Sequence, residues 1–136
     1  MSVGVLLITH EGVGGALLEA ATRMLGTCPL RAEALPVALE ADTEAMRDAA
    51  ARKARALDDG DGVLILTDLY GSTPSNIAAS LAGEGGSVRV VAGLNLPMLV
   101  RVLNYPADDL PTLADKAVNG GNRGILLCGS RPPDAA

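Results

Sequence analysis

The stretch VLILTDLYGSTPSN, residues 63–76, holds a strand, a sharp turn and the start of a helix in one short run. VLILTD, 63–68, is apolar without alternation until its last two residues, the pattern of a strand covered on both faces. The residues after Asp68 change character at once. Gly71 permits a tight turn, Thr73 suits a helix N-cap and Pro74 the first helical position. A helix is therefore expected through Leu81, closed by GEGG at 83–86 and preceded by a DDGDG turn at 58–62.

The same alternation extends in both directions. Val3–Thr9 reads as a second fully buried strand, followed by a helix over Gly14–Leu25 with Leu17, Leu18, Ala21 and Leu25 on one face and Gly26 as its stop. Leu30–Val37 is a weaker strand. Asp42 or Thr43 can cap a helix to Leu57, whose last turns carry Arg52, Lys53 and Arg55 where the macrodipole favours cations. Beyond the central stretch, Ser87–Ala92 is a strand and NLPMLVRVLN, 95–104, a short helix capped by Asn95. DDLPTLADKAVNGG, 108–121, is a further helix, Gly124–Cys128 a final strand, and residues 131–136 a loose tail.

Strand and helix in alternation predict a single α/β domain over residues 1–130: a doubly wound, mainly parallel sheet with helices on both faces. A final antiparallel edge strand at the C-terminus is compatible with that plan. At 136 residues the chain buries one core, and without Phe or Trp and with two Tyr that core must be aliphatic. A formal net charge of −5 argues against nucleic acid, which wants a basic face, and favours a protein partner that is basic at the contact. Cys28 and Cys128 have no metal-ligand spacing and read as reduced, mostly buried thiols. The first apolar run is too short to span a membrane and lacks a basic flank, so a cytoplasmic protein is expected, with no membrane insertion.

Two strands end in groups that carry chemistry. The one histidine of the chain, His10, closes the first strand, and Asp68 closes the third. In a doubly wound sheet of order 2-1-3-4 these strands are neighbours, and the crevice at their carboxyl ends is the topological switch point. Neighbouring strands lie about 4.8 Å apart, so the carboxylate could reach an imidazole nitrogen. A carboxylate holding Nδ1–H would fix the tautomer and leave Nε2 free to attack phosphorus. The amides and hydroxyls of Gly71, Ser72 and Thr73, at a helix N-terminus, would receive phosphoryl oxygens. Each piece also has a plain structural reading: an incidental histidine, a turn-capping Asp68, an ordinary helix start.

These residues resemble a known family, the enzyme IIA component of the mannose-type sugar phosphotransferase system. LLITHEG, 6–12, looks like that family's first strand and its phospho-accepting histidine. LTDLYGSTPSN, 66–76, looks like its Asp-x-x-Gly-[Gly/Ser]-[Ser/Thr]-Pro-x-Asn loop, and VVAGLNLPML, 90–99, like its Gly-x-Asn-x-Pro-Met-Leu segment. The resemblance spans roughly residues 2–128. It implies a phosphotransferase in which His10 accepts phosphate from the phosphocarrier HPr and donates it to a IIB protein. Asp68 would orient His10, Gly71, Ser72 and Thr73 would hold the phosphoryl group, and Thr9, Asn95, Pro97 and Met98 would flank the site. It further implies a homodimer with the C-terminal strand open to exchange between subunits, and neither a metal nor an organic cofactor. Glu11 stands where many members have Gly, and GST where GGS is frequent. The chain is expected to end near the IIA boundary, with no fused IIB domain. Two other roles remain as alternatives: a regulatory IIA module whose phosphorylation state other proteins sense, and, within the same fold, the phosphoryl-donor subunit of dihydroxyacetone kinase, against which the GLNLPML segment and the Pro of STPSN favour the mannose type. A non-catalytic binding module is disfavoured by the intact His10 and Asp68.

Overall fold

The computed structural model describes residues 2–83 and 86–129. Its elements follow one another as β1 (Gly4–His10), α1 (Val13–Leu25), β2 (Ala32–Val37), α2 (Thr43–Leu57), β3 (Val63–Thr67), α3 (Thr73–Ser80), β4 (Val88–Ala92), α4 (Leu96–Leu103) and α5 (Leu110–Arg123). The four strands form one sheet in the order β2-β1-β3-β4, every pair parallel. Order and direction match the expectation from the sequence.

The continuous apolar runs of β1 and β3 have a direct cause. Both are central strands, and successive side chains point to opposite faces. Val5, Leu7, Leu64 and Leu66 pack in one core with Ala21 of α1, Met98, Leu99 and Val102 of α4, and Leu113 and Ala117 of α5. Leu6, Ile8, Val63 and Ile65 pack in the other with Ala50 and Ala54 of α2 and Ile77 and Ala78 of α3. No aromatic side chain enters either core. Truncating a leucine at such a position costs about 2–5 kcal/mol, so the paired strands form the rigid base from which the loops at their carboxyl ends project.

The helix starts are set by short polar side chains. Asp42 caps α2 by accepting from the Glu44 amide at 3.0 Å, which settles the choice between Asp42 and Thr43. Asn95 caps α4 by accepting from Met98 N–H at 2.9 Å. The cap of α3 is Ser72 rather than Thr73, because it is the Ser72 hydroxyl that reaches the Ser75 amide. Thr73 and Pro74 then occupy the first two helical positions.

Two further expectations are corrected. Gly124–Cys128 forms no strand: α5 runs to Arg123, and among the described residues nothing pairs with the segment beyond it. An apolar run becomes a strand only where it is laid along a sheet, and in the single chain Ile125, Leu126 and Leu127 pair with none of the four strands and stand 74%, 67% and 82% exposed. Cys28 and Cys128 are free thiols, but both are exposed, since they lie in the turn after α1 and beyond α5, outside the two cores. The tail expected at 131–136 lies outside the described residues. Among those described, no helix is long and apolar enough to cross a membrane.

Candidate functional site

Because β1 and β3 are adjacent and parallel, with Ile8 opposite Thr67, their carboxyl ends deliver His10 and Asp68 to the same crevice. The contact that the sequence could only make geometrically feasible is formed. His10 Nδ1 lies 2.9 Å from Asp68 Oδ2, and the same oxygen accepts the His10 backbone N–H at 3.1 Å. The other oxygen, Oδ1, accepts the Leu69 amide at 3.0 Å. Burial alone would raise the Asp68 carboxyl, whose side chain is 12% exposed, but the hydrogen bonds from the His10 ring and amide outweigh it. The carboxyl is held below the usual aspartate value. An ionised carboxylate only accepts, so the ring must present Nδ1–H to it and keep the lone pair on Nε2.

His10 is 36% exposed at its side chain, and no partner for Nε2 occurs among the described residues. The ring borders a recess of ≈ 40 Å³ lined by Val37, Ala38, Leu39, Thr73 and Pro74. That is far below the roughly 300 Å³ at which pockets for small organic ligands begin.

Within the loop after β3, the three expected phosphoryl-binding residues differ. Gly71, at φ 85, makes the left-handed turn that a residue with a Cβ would resist, and its amide is taken by Ser75 Oγ at 3.3 Å. The Ser72 amide bonds Leu69 O at 3.2 Å, and the Ser72 hydroxyl donates to the same carbonyl at 2.6 Å. Thr73 alone keeps both its amide and its hydroxyl without a partner among the described residues, and Thr73 lines the recess beside His10.

The remaining expected residues divide. Thr9, buried at the end of β1, donates its hydroxyl to the His10 carbonyl at 2.8 Å and accepts the Gly14 amide at 2.9 Å. Asn95 and Met98 border a separate cleft against α5, where Asn95 also donates to Gly121 O at 3.3 Å. Pro97 is exposed and packs against Gly124. None of these three lines the His10 recess. Glu11 is exposed and makes no ion pair among the described residues. Leu39, Leu69 and Tyr70, large apolar side chains exposed beside the site, were not singled out from the sequence. Their only signal there is position, on the loops that follow β2 and β3. No group of three or more His, Cys, Asp or Glu able to hold a metal occurs among the described residues.

The molecule is thus a doubly wound α/β domain with a histidine–carboxylate pair at its switch point, beside a helix N-terminus. The family described as "PTS system fructose IIA component" matches residues 4–116, and the chain belongs to that family, the mannose/fructose-type IIA components of the sugar phosphotransferase system. It is 28% identical over its whole length to the PTS system mannose-specific EIIAB component of Escherichia coli K12, and spans 42% of that relative. A shorter match, 48% identical over 42 residues, joins 31% of the chain to 29% of the PTS system fructose-specific EIIA component of Bacillus subtilis. Among solved structures, the mannose/sorbose-specific IIA subunit from Enterococcus faecalis superposes with a TM-score of 0.85 at 23% identity, covering 97% of this chain and 98% of that one. At that identity the superposition speaks for the fold alone.

Proposed function

We propose that the protein is a cytoplasmic phosphoryl carrier of the sugar phosphotransferase system, in which His10 takes a phosphoryl group from phosphorylated HPr and passes it to a IIB component. The observation that carries the reading is the 2.9 Å contact of Asp68 with Nδ1, which leaves Nε2 as the free nitrogen of the chain's one imidazole. In the transfer, the Nε2 lone pair forms a bond to phosphorus as the donor's bond to phosphorus breaks, the donor leaving with that electron pair. Nδ1–H stays in place, and the Asp68 carboxylate balances the positive charge that builds on the ring. Thr73, with a free amide and hydroxyl at the positive end of α3, is placed to receive the equatorial oxygens, while Gly71 and Ser72 shape the loop that carries it.

The size of the recess supports a carrier. It suits a phosphoryl group delivered by a macromolecule, and the loops around it carry what a protein partner needs: exposed Leu39, Leu69 and Tyr70, with Glu11, Glu40 and Asp42 and no Lys or Arg. Such a face is complementary to an apolar patch rimmed by basic residues.

The carrier is further proposed to act as a homodimer. Strand β4 has an open outer edge among the described residues, an apolar cleft of ≈ 480 Å³ borders it at Val88 and Val90, and Ile125–Leu127 stand exposed nearby in sequence order after α5. The segment 124–128 of a second copy would supply the missing strand.

The test is incubation with phosphorylated HPr, with the acid-labile label located by peptide mapping and chased onto a IIB protein. Label on the peptide holding His10, followed by loss to IIB, is expected. A label on any other residue, or none, overturns the proposal.

A further inference from the structure

We infer that Thr9 is a positioning residue: its buried hydroxyl locks the His10 peptide to the first turn of α1 and so sets the direction in which Nε2 points. The inference rests on reading His10 as the group that takes the phosphoryl.

Helix α1 begins in an unusual way. Its N-cap is Gly12, at φ 84, which has no side chain with which to satisfy the first-turn amides. Thr9 does so from outside the helix, reaching up from the end of β1 to accept the Gly14 N–H at 2.9 Å. The same oxygen donates its own proton to the His10 carbonyl at 2.8 Å. One hydroxyl thus joins strand end, histidine and helix start, and it does so at 1% exposure, where water offers no replacement.

The packing around it is close. A Cβ at Gly14 would lie 2.9 Å from Thr9 Oγ1 and 3.2 Å from Thr9 Cγ2, so the absence of a side chain at 14 lets the helix settle onto the threonine. For His10 the consequence is complete restraint of every polar group except one. Its N–H and Nδ1 are held by Asp68 and its carbonyl by Thr9, leaving Nε2. Asp68 grips the ring at Nδ1, on the side opposite the free Nε2. The carbonyl contact fixes the backbone from which the ring swings, and a small rotation there moves Nε2 away from the line of attack.

The experiment compares Thr9→Val, which keeps the shape and removes donor and acceptor together, with Thr9→Ser, which keeps both. Phosphoryl transfer from phosphorylated HPr is measured beside two readouts that need no transfer: thermal unfolding, and the long-range ¹H–¹⁵N spectrum of the His10 ring, which reports its tautomer. For the valine variant, transfer slower by about tenfold to a hundredfold is expected, as misplacement of a reacting group typically costs. The ring signal should shift from a single Nδ1–H tautomer to a mixture. Serine should restore both the rate, to within about threefold, and the tautomer. Valine transferring at the parent rate with an unchanged ring signal overturns the inference, and so does a serine variant as slow as valine. If the valine variant does not stay folded, Gly14→Ala displaces the same hydroxyl from the helix side and must give the same loss of rate and tautomer. If the parent chain takes no phosphate, the functional reading fails, while the ring spectra still decide the role of Thr9.

Discussion

Strands β1 and β3 close alike, with a buried threonine next to a side chain that can carry charge, Thr9 before His10 and Thr67 before Asp68, yet the two threonines do opposite things. Thr9 uses its hydroxyl twice, on His10 and on Gly14. Thr67 is fully buried one residue before Asp68, and its hydroxyl has no partner at all among the described residues. A sequence shows two equivalent Thr-x ends; the structure separates a strand end that must be held from one that need only be filled. The difference follows from the next element. Helix α1 starts two residues after Glu11 with a glycine cap and needs an outside acceptor, whereas α3 brings its own cap in Ser72.

The largest expected effect comes from removing the chemistry at the β1 end. His10→Ala should abolish acid-labile phosphorylation, with the fold unchanged by circular dichroism, because the chain holds no other imidazole. A variant that still takes up acid-labile phosphate would move the site elsewhere and erase the distinction between the two strand ends.

Next comes the carboxylate at the β3 end. Asp68→Asn can still accept from the ring but no longer offers a full charge to the developing imidazolium. Transfer slower by about tenfold to a thousandfold is expected, the usual consequence of losing one well-placed electrostatic partner. Transfer at the parent rate would reduce Asp68 to a turn residue that happens to touch a histidine.

The same carboxylate gives a pH signature. Its value in the folded protein lies below that in the unfolded chain, so its ionisation contributes stability that is fully present above the unfolded value, about 4, and is lost as the pH falls through the lower folded value. Denaturant titrations of the parent and of Asp68→Asn should therefore differ by a constant amount above about pH 5 and converge below about pH 4. A gap that stays constant down to pH 3 would mean that the His10 contacts do not favour the ionised form.

Most of the fold was legible because its central strands are buried on both sides, which leaves the unbroken runs VGVLLIT and VLILT. Placement of His10 and Asp68 at neighbouring strand ends followed from the topology. What stayed hidden depends on contacts that no local pattern encodes. GILLC, 124–128, has the composition of a strand, but composition does not lay a segment along the open side of β4, and in the single chain its leucines are exposed. Ser72 and Thr73 are both residue types that cap helices, and the reach of the Ser72 hydroxyl to the Ser75 amide decides between them. That choice matters, because it frees Thr73 for the recess. Asn95, although it caps α4 as expected, directs its amide to Gly121 rather than to the histidine, a consequence of how α5 folds back on α4.

The smallest effect is the sharpest test of the opening contrast. Thr67→Val keeps the shape of a fully buried side chain and removes a hydroxyl that has no partner among the described residues. An unpaired buried hydroxyl typically costs about 1–3 kcal/mol, whereas an apolar group of the same shape costs nothing of that kind. Stability should therefore stay level or rise, by up to about 1 kcal/mol, or about 4 °C in the melting temperature of a domain this size. Phosphoryl transfer should be unchanged, since no hydrogen bond links Thr67 to His10 or Asp68. Set beside Thr9→Val, the identical substitution two strands' ends apart then gives opposite results, one harming transfer and the other harmless. A clear fall in stability for Thr67→Val would instead show that the hydroxyl is satisfied in solution, by a buried water, for example, and that both strand ends are held through their threonines.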